Sequence, residues 1–208
     1  MTPADPDTPQ RRSVAGDEPT EAVPTRSLTV RQPWAWAIMH GGKDVENRTW
    51  STDLGTVAVV AGLAFDSTSP TSKPMLSAWE AAHRSPLVTG NPHLAVGAIV
   101  GVVDIVDVHL CDAARGCFRE ADVLGWTPVD GSDASAPGWR PRVCSPWAEV
   151  PQKPPVRGSG AMRHFVLANP RPLVHPLRFR GHQGIRSLHP SVTTVIGIRL
   201  RSQDRSGK

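Results

Sequence analysis

Lys43, Glu46 and Arg48 place an ammonium, a carboxylate and a guanidinium in one short stretch, HGGKDVENRTW (residues 40–50). A guanidinium fork binds anionic or carbonyl groups in a fixed geometry. If chemistry is done there, Lys43 would act as base or nucleophile activator and Glu46 as proton carrier. Strand parity decides whether the three meet. On a strand over Asp44–Trp50, residues Glu46, Arg48 and Trp50 share one face, and Val45, Asn47 and Thr49 share the other. Lys43 joins the first face only if the Gly41-Gly42 turn or a bulge redirects it. Otherwise Glu46 and Arg48 form an exposed ion pair worth on the order of a few tenths of a kcal/mol.

The elements that must position these groups follow from the surrounding pattern. Ser27–Val30 reads as a short strand. Pro33 stands where a helix begins, and Trp34–His40 forms two turns ended by Gly41-Gly42. TVAVVA (56–61) predicts a strand buried on both faces, Ser72–Arg84 a helix capped by Ser72, and Ala95–His109 a long strand. Residues 110–162 hold all three Cys, three Trp and many Pro and Gly with little periodicity. They predict a long insertion with a short helix near 113–124. Strands are expected again at Arg163–Leu167, Leu173–Phe179 and Thr193–Leu200. Residues 1–26 read as a disordered tail, 27–201 as the folded domain and 202–208 as a flexible end. With 21 Pro and 18 Gly, the whole predicts a mostly-β α+β protein.

The order R-Q-P-W-A-x-x-I followed by G-G-K-D-V-E-N-R-T-W resembles the ASCH domain, a member of the PUA-like barrels. Its core is Q-P-W followed by G-x-K-x-x-E-x-R. SPWAEV (145–150) and HFVLANPRPL (164–173) are similar to later family landmarks. The resemblance implies a small PUA-like β-barrel with short helices flanking a cleft. Trp34, Lys43, Glu46 and Arg48 would line the cleft, Gln32 and Pro33 would shape its wall, and Trp147 and His164 would face the ligand. The family association is with RNA or other nucleic acid, and one subgroup hydrolyses the amide of an acetylated cytidine. That subgroup pairs the motif Lys with a Thr where this chain has Glu46. Leu54-Gly55 and Val60 replace an Arg-Gly and a His of many relatives, and Gly184-Ile185-Arg186 replaces Gly-Leu-Trp. The expectation is therefore a binder of RNA, single-stranded nucleic acid or a modified nucleoside. The alternative is a small hydrolase of such nucleosides or of RNA, using Lys43 and Glu46.

Charge distribution agrees with a polyanionic partner. The net charge is +4, but residues 150–208 carry eleven basic side chains against Asp204 alone. Seven Trp with no Tyr supply stacking faces, of which Trp34, Trp50 and Trp147 are candidates, while Trp36 is expected in the core. Cys111 and Cys117 stand six positions apart, with His109 before them and Cys144 after. Structural zinc sites favour C-x2–4-C pairs, so reduced thiols are expected, with neither metal nor cofactor. No glycine-rich phosphate loop or G-x-S-x-G elbow occurs. The opening residues carry no apolar signal segment, and LAVGAIVGVVDIVDV is interrupted by Asp104 and Asp107. A cytoplasmic monomer without membrane association is expected.

Overall fold

Every residue from Val57 to Ala61 is fully buried, and the run serves two cores at once. Val57, Val59 and Ala61 pack to one side of a sheet, Ala58 and Val60 to the other. The period-two alternation of a strand produces this division when both faces are covered. A computed structural model describes residues 22–121, 125–151 and 162–206. Most of the expected tail, residues 1–21, lies outside the described residues, as do 122–124, 152–161 and the last two positions.

In chain order the described elements are β1 (Arg26–Gln32), α1 (Trp34–His40), β2 (Val45–Arg48), β3 (Gly55–Phe65), α2 (Lys73–Ala82) and β4 (Ala98–Asp112). Then follow β5 (Gly116–Ala121), β6 (Gly125–Pro128), β7 (Met162–Arg178), β8 (Ile185–Ser187) and α3 (Pro190–Ser206). The strands form one sheet in the order β2-β7-β4-β3-β1-β8, with β5 added to the end of β4 and β6 to β5. β1 and β3 run parallel, Leu28 beside Val59, and the remaining pairs are antiparallel.

The fold is mostly-β α+β, as the pattern predicts, but the sheet is open. Among the described residues no ladder joins β2 to β8, so the expected barrel does not close. Both terminal strands are short, four and three residues. Curvature is nevertheless strong. Leu28 and Val30 of β1 share a core with Phe165 and Leu167 of β7, both packed with Ala35, Ile38 and Met39 of α1. The sheet thus wraps around α1. On its outer side, Ile196 and Leu200 of α3 cover Ala58, Val60, Ile99 and Val102.

Three segments differ from the sequence reading, each for a physical reason. Residues 113–121 hold no helix; β5 and β6 form a hairpin, with Phe118 buried against Trp126 and under the Arg115 guanidinium. Arg163–Leu167 and Leu173–Phe179, read as separate strands, belong to the single bulged β7. β2 pairs only with Arg163–Val166, so beyond that stretch one side of β7 is an edge where Pro170, Pro172 and Pro176 remove no partner's hydrogen bond. Thr193–Leu200 is helical despite its β-branched residues. Ile196 and Leu200 fall one turn apart, and burial against the sheet outweighs local strand preference. The helix continues to Ser206, into the stretch expected to be flexible.

α1 packs closely where β4 carries Gly101. A Cβ at that position would overlap Met39 Sδ and stand only 2.6 Å from the Arg171 carbonyl oxygen and 2.9 Å from Pro172 Cα. Gly101→Ala is expected to destabilise the protein by about 1–3 kcal/mol through overpacking. The shift in urea midpoint at unchanged slope measures it.

Candidate functional site

The turn after α1 determines where Lys43 goes. The Gly41 and Lys43 amides both donate to the Ala37 carbonyl, at 2.9 and 3.0 Å, which folds the chain tightly back at the helix end. Gly42 has φ +71°, a conformation that side chains with a Cβ rarely adopt. The turn leaves Lys43 just ahead of β2 and outside its alternation. Its Nζ lies 3.5 Å from Glu46 Oε2, while Arg48 Nη2 lies 2.9 Å from Glu46 Oε1. The structure therefore brings together the three charges whose convergence parity left open.

The triad is largely buried. Lys43 is 4 % exposed and Glu46 7 %, whereas the Arg48 side chain keeps 24 % of its surface. Charges removed from water must be paired and hydrogen-bonded, or the desolvation cost prevails. Glu46 has a cation on each oxygen. Lys43 Nζ also donates to the Val45 carbonyl, and Arg48 Nη2 donates to the Thr29 carbonyl of β1 at 2.8 Å. Arg48 thereby bridges β2 to β1 across the mouth of the curled sheet.

Two indoles wall the ammonium. Lys43 Nζ lies 5.5 Å from the Trp34 ring centroid and 5.9 Å from that of Trp147, within cation–π range. The rings meet edge to face, centroids 6.5 Å apart at 87°. Trp34 Nε1 donates to Asp66 Oδ2 at 3.0 Å. Burial pushes the Asp66 carboxyl up, but hydrogen bonds from Thr68 and Trp34 and the nearby Arg31 outweigh it and hold the group below the usual range. Asp66 therefore stays ionised and fixes the indole's orientation. Trp147 comes from the insertion, anchored by three contacts to the motif strand. Asn47 Nδ2 donates to the Trp147 carbonyl at 3.1 Å, the Glu149 amide donates to Asn47 Oδ1 at 3.0 Å, and Ser145 Oγ donates to Asp44.

These groups form one end of an open cleft of about 1590 Å³. The rim carries Arg31, Lys73, Arg178 and Arg180, with Asp66 and Glu149 as acidic members beside them. Nothing in the motif itself foretold the contribution of Arg178 and Arg180; the basic bias of the last quarter was the available signal.

Of the other residues singled out by sequence, Gln32, Pro33 and His164 do not line this cleft. Gln32 is buried, its Nε2 donating to the Ala95 carbonyl at 2.6 Å and its Oε1 accepting the Trp36 amide at 3.1 Å. It fastens the start of α1, as does Pro33, whose carbonyl accepts the Ala37 amide. His164 alternates with core residue Phe165 on β7 and so points away from that core, toward Cys117 and Cys144. Trp36 packs in the core against Trp79, and Trp50 against Phe165 and the Arg48 guanidinium. No helix among the described residues is long and apolar enough to cross a membrane.

The family model described as ASCH domain matches residues 28–171, from β1 through the middle of β7. No curated protein matches the chain.

Removing the central carboxylate would leave the buried Lys43 ammonium and the partly exposed Arg48 guanidinium without their shared counter-charge. Glu46→Ala is expected to cost about 3–5 kcal/mol, the range for breaking one side of a buried pair. Trp147→Ala, at the half-buried wall, is expected to cost less. Parallel denaturant titrations of the two variants provide the comparison.

Proposed function

This chain belongs to the ASCH domain family, and we propose that its cleft binds single-stranded nucleic acid, RNA foremost, by taking one base or nucleoside at the Trp34–Trp147 end. The observation that carries this reading is the pairing of an aromatic, charge-lined end with a cationic rim. A base needs a flat apolar face and hydrogen-bonding groups in the plane of its edge. Trp34 and Trp147 offer the faces. Glu46 offers an acceptor for an exocyclic amino group, and Arg48, the most exposed of the triad, offers donors for a carbonyl. Arg31, Lys73, Arg178 and Arg180, exposed cations lining the same cleft, would in this reading neutralise the phosphates of flanking nucleotides.

The triad's own partners favour binding over catalysis. Lys43 is occupied by Glu46, the Val45 carbonyl and two rings, so its role in this reading is to hold Glu46 charged and in place. The hydrolytic alternative draws on the same 3.5 Å Lys43–Glu46 contact, across which a proton could pass once a ligand displaces a partner. Turnover of acylated or alkylated nucleosides by the purified protein would select it.

Fluorescence anisotropy with short labelled RNA and DNA strands tests the binding reading. Affinity is expected to fall as salt rises. Arg178→Ala with Arg180→Ala should flatten that salt slope by about one unit for each phosphate no longer neutralised. Trp34→Ala is expected to weaken binding by roughly 5- to 150-fold, the equivalent of about 1–3 kcal/mol for one stacked base. Absence of binding at low salt, or affinity indifferent to Trp34 and Arg48 substitution, would overturn the proposal.

A further inference from the structure

Four side chains that are scattered in sequence converge beside the motif strand. One ring nitrogen from each of His109 and His164 and the sulfurs of Cys117 and Cys144 all lie within 4.8 Å of one another. They come from β4, the start of β5, the loop after β6, and β7. Both sulfurs stand 3.3 Å from His164 Nδ1. A tetrahedral zinc ion, with Zn–S near 2.3 Å and Zn–N near 2.05 Å, sets its S and N ligands roughly 3.6 Å apart. We propose that His109, Cys117, Cys144 and His164 form a structural Cys2His2 site for a tetrahedral divalent metal, zinc being the ion this donor set favours.

The outer contacts of the cluster are those a metal site requires. A ligating histidine is held by whatever its second nitrogen bonds, commonly a carboxylate or a backbone carbonyl. Here His109 Nδ1 lies 2.8 Å from Asp107 Oδ2, and Asp107 is itself held by Arg119 Nη2 at 2.6 Å. His164 Nε2 lies 3.0 Å from the Glu149 carbonyl. Each ring therefore turns its other nitrogen inward. His109 is 3 % exposed, and its Nε2 is buried with no hydrogen-bond partner among the described residues. A buried ring nitrogen without a partner is costly, and a metal ion would satisfy it. The Cys144 amide also donates to Cys117 Sγ at 3.2 Å, the kind of N–H···S contact that supports a metal thiolate.

Cys111 marks the boundary of the site. It lies across the ladder from Cys117 and is equally buried, yet contributes no atom to the four. The four ligands make a closed coordination shell, which assigns the metal a structural role rather than a catalytic one. It would join the β5 start and the loop carrying Trp147 and Glu149 to β7. This inference is independent of what the cleft binds.

The test is the metal content of the full-length chain, purified under reducing conditions without chelator. About one zinc per chain is expected, and loading with cobalt instead should give the intense visible bands of a tetrahedral thiolate complex. Cys144→Ser removes an exposed ligand with little risk to folding, and is expected to weaken zinc binding roughly tenfold or more. Cys111→Ser should retain zinc, and a chelator should lower the melting temperature of the parent by more than that of Cys144→Ser. Reduced, folded protein that takes up no zinc would overturn the proposal. So would zinc retained by the Cys117→Ser/Cys144→Ser double variant, or a native Cys117–Cys144 disulfide.

Discussion

A carboxylate with a cation on each oxygen, nearly shut off from water, is the constraint around which the cleft is organised. Glu46 tolerates burial because Lys43 and Arg48 are both within ion-pair distance, and each cation is tolerated because it has further partners. The geometry therefore cannot be loosened at one point alone. The tight turn at Gly41-Gly42 must deliver Lys43, β2 must present Glu46 and Arg48 on one face, and β1 must offer the Thr29 carbonyl. An arrangement of this kind is held by desolvation: any partner that leaves exposes the cost of the charges that remain.

The polar residues beside the triad hold residues 145–149 against the motif. Asp44 and Asn47, the polar residues of the motif outside the charged triad, hold Ser145, Trp147 and Glu149. Within β2 one face carries Glu46 and Arg48 and the other presents Asn47, which together with Asp44 just ahead of the strand recruits the wall that covers the charges. Trp147 then closes over the ammonium that Trp34 already flanks. The proposed metal site stands behind that wall, bonded through His164 to the Glu149 carbonyl. Cleft and metal site thus share one loop without sharing a ligand.

How much of this was legible in the sequence varies with the range of the interactions. The helix Trp34–His40 was readable because Pro33 and the glycine pair punctuate it locally, and the two-faced burial of β3 because an unbroken apolar run has few other uses. The strand-like run 193–200 misled for the converse reason. Its β-branched residues carry a local preference that burial of Ile196 and Leu200 overrides. The barrel expected from the family resemblance is an open sheet among the described residues, with no ladder joining β2 to β8, because closure rests on long-range strand pairing that local patterns do not encode.

The sequence by itself determined which residues were singled out as candidates for the cleft. Trp34, Lys43, Glu46 and Arg48 all fall between the start of α1 and the end of β2, where turn chemistry and spacing constrain one another. It also determined that the later part of the chain would be basic. Only the tertiary structure decided that Lys43 converges with Glu46 and Arg48, since a turn outside the strand's alternation sets its direction. Only the fold, likewise, could move His164 away from the cleft and bring it to Cys117 and Cys144. Spacing along the chain tests ligands carried by one turn, whereas these four meet across a sheet, and the ladder register that joins them is a property of strand pairing.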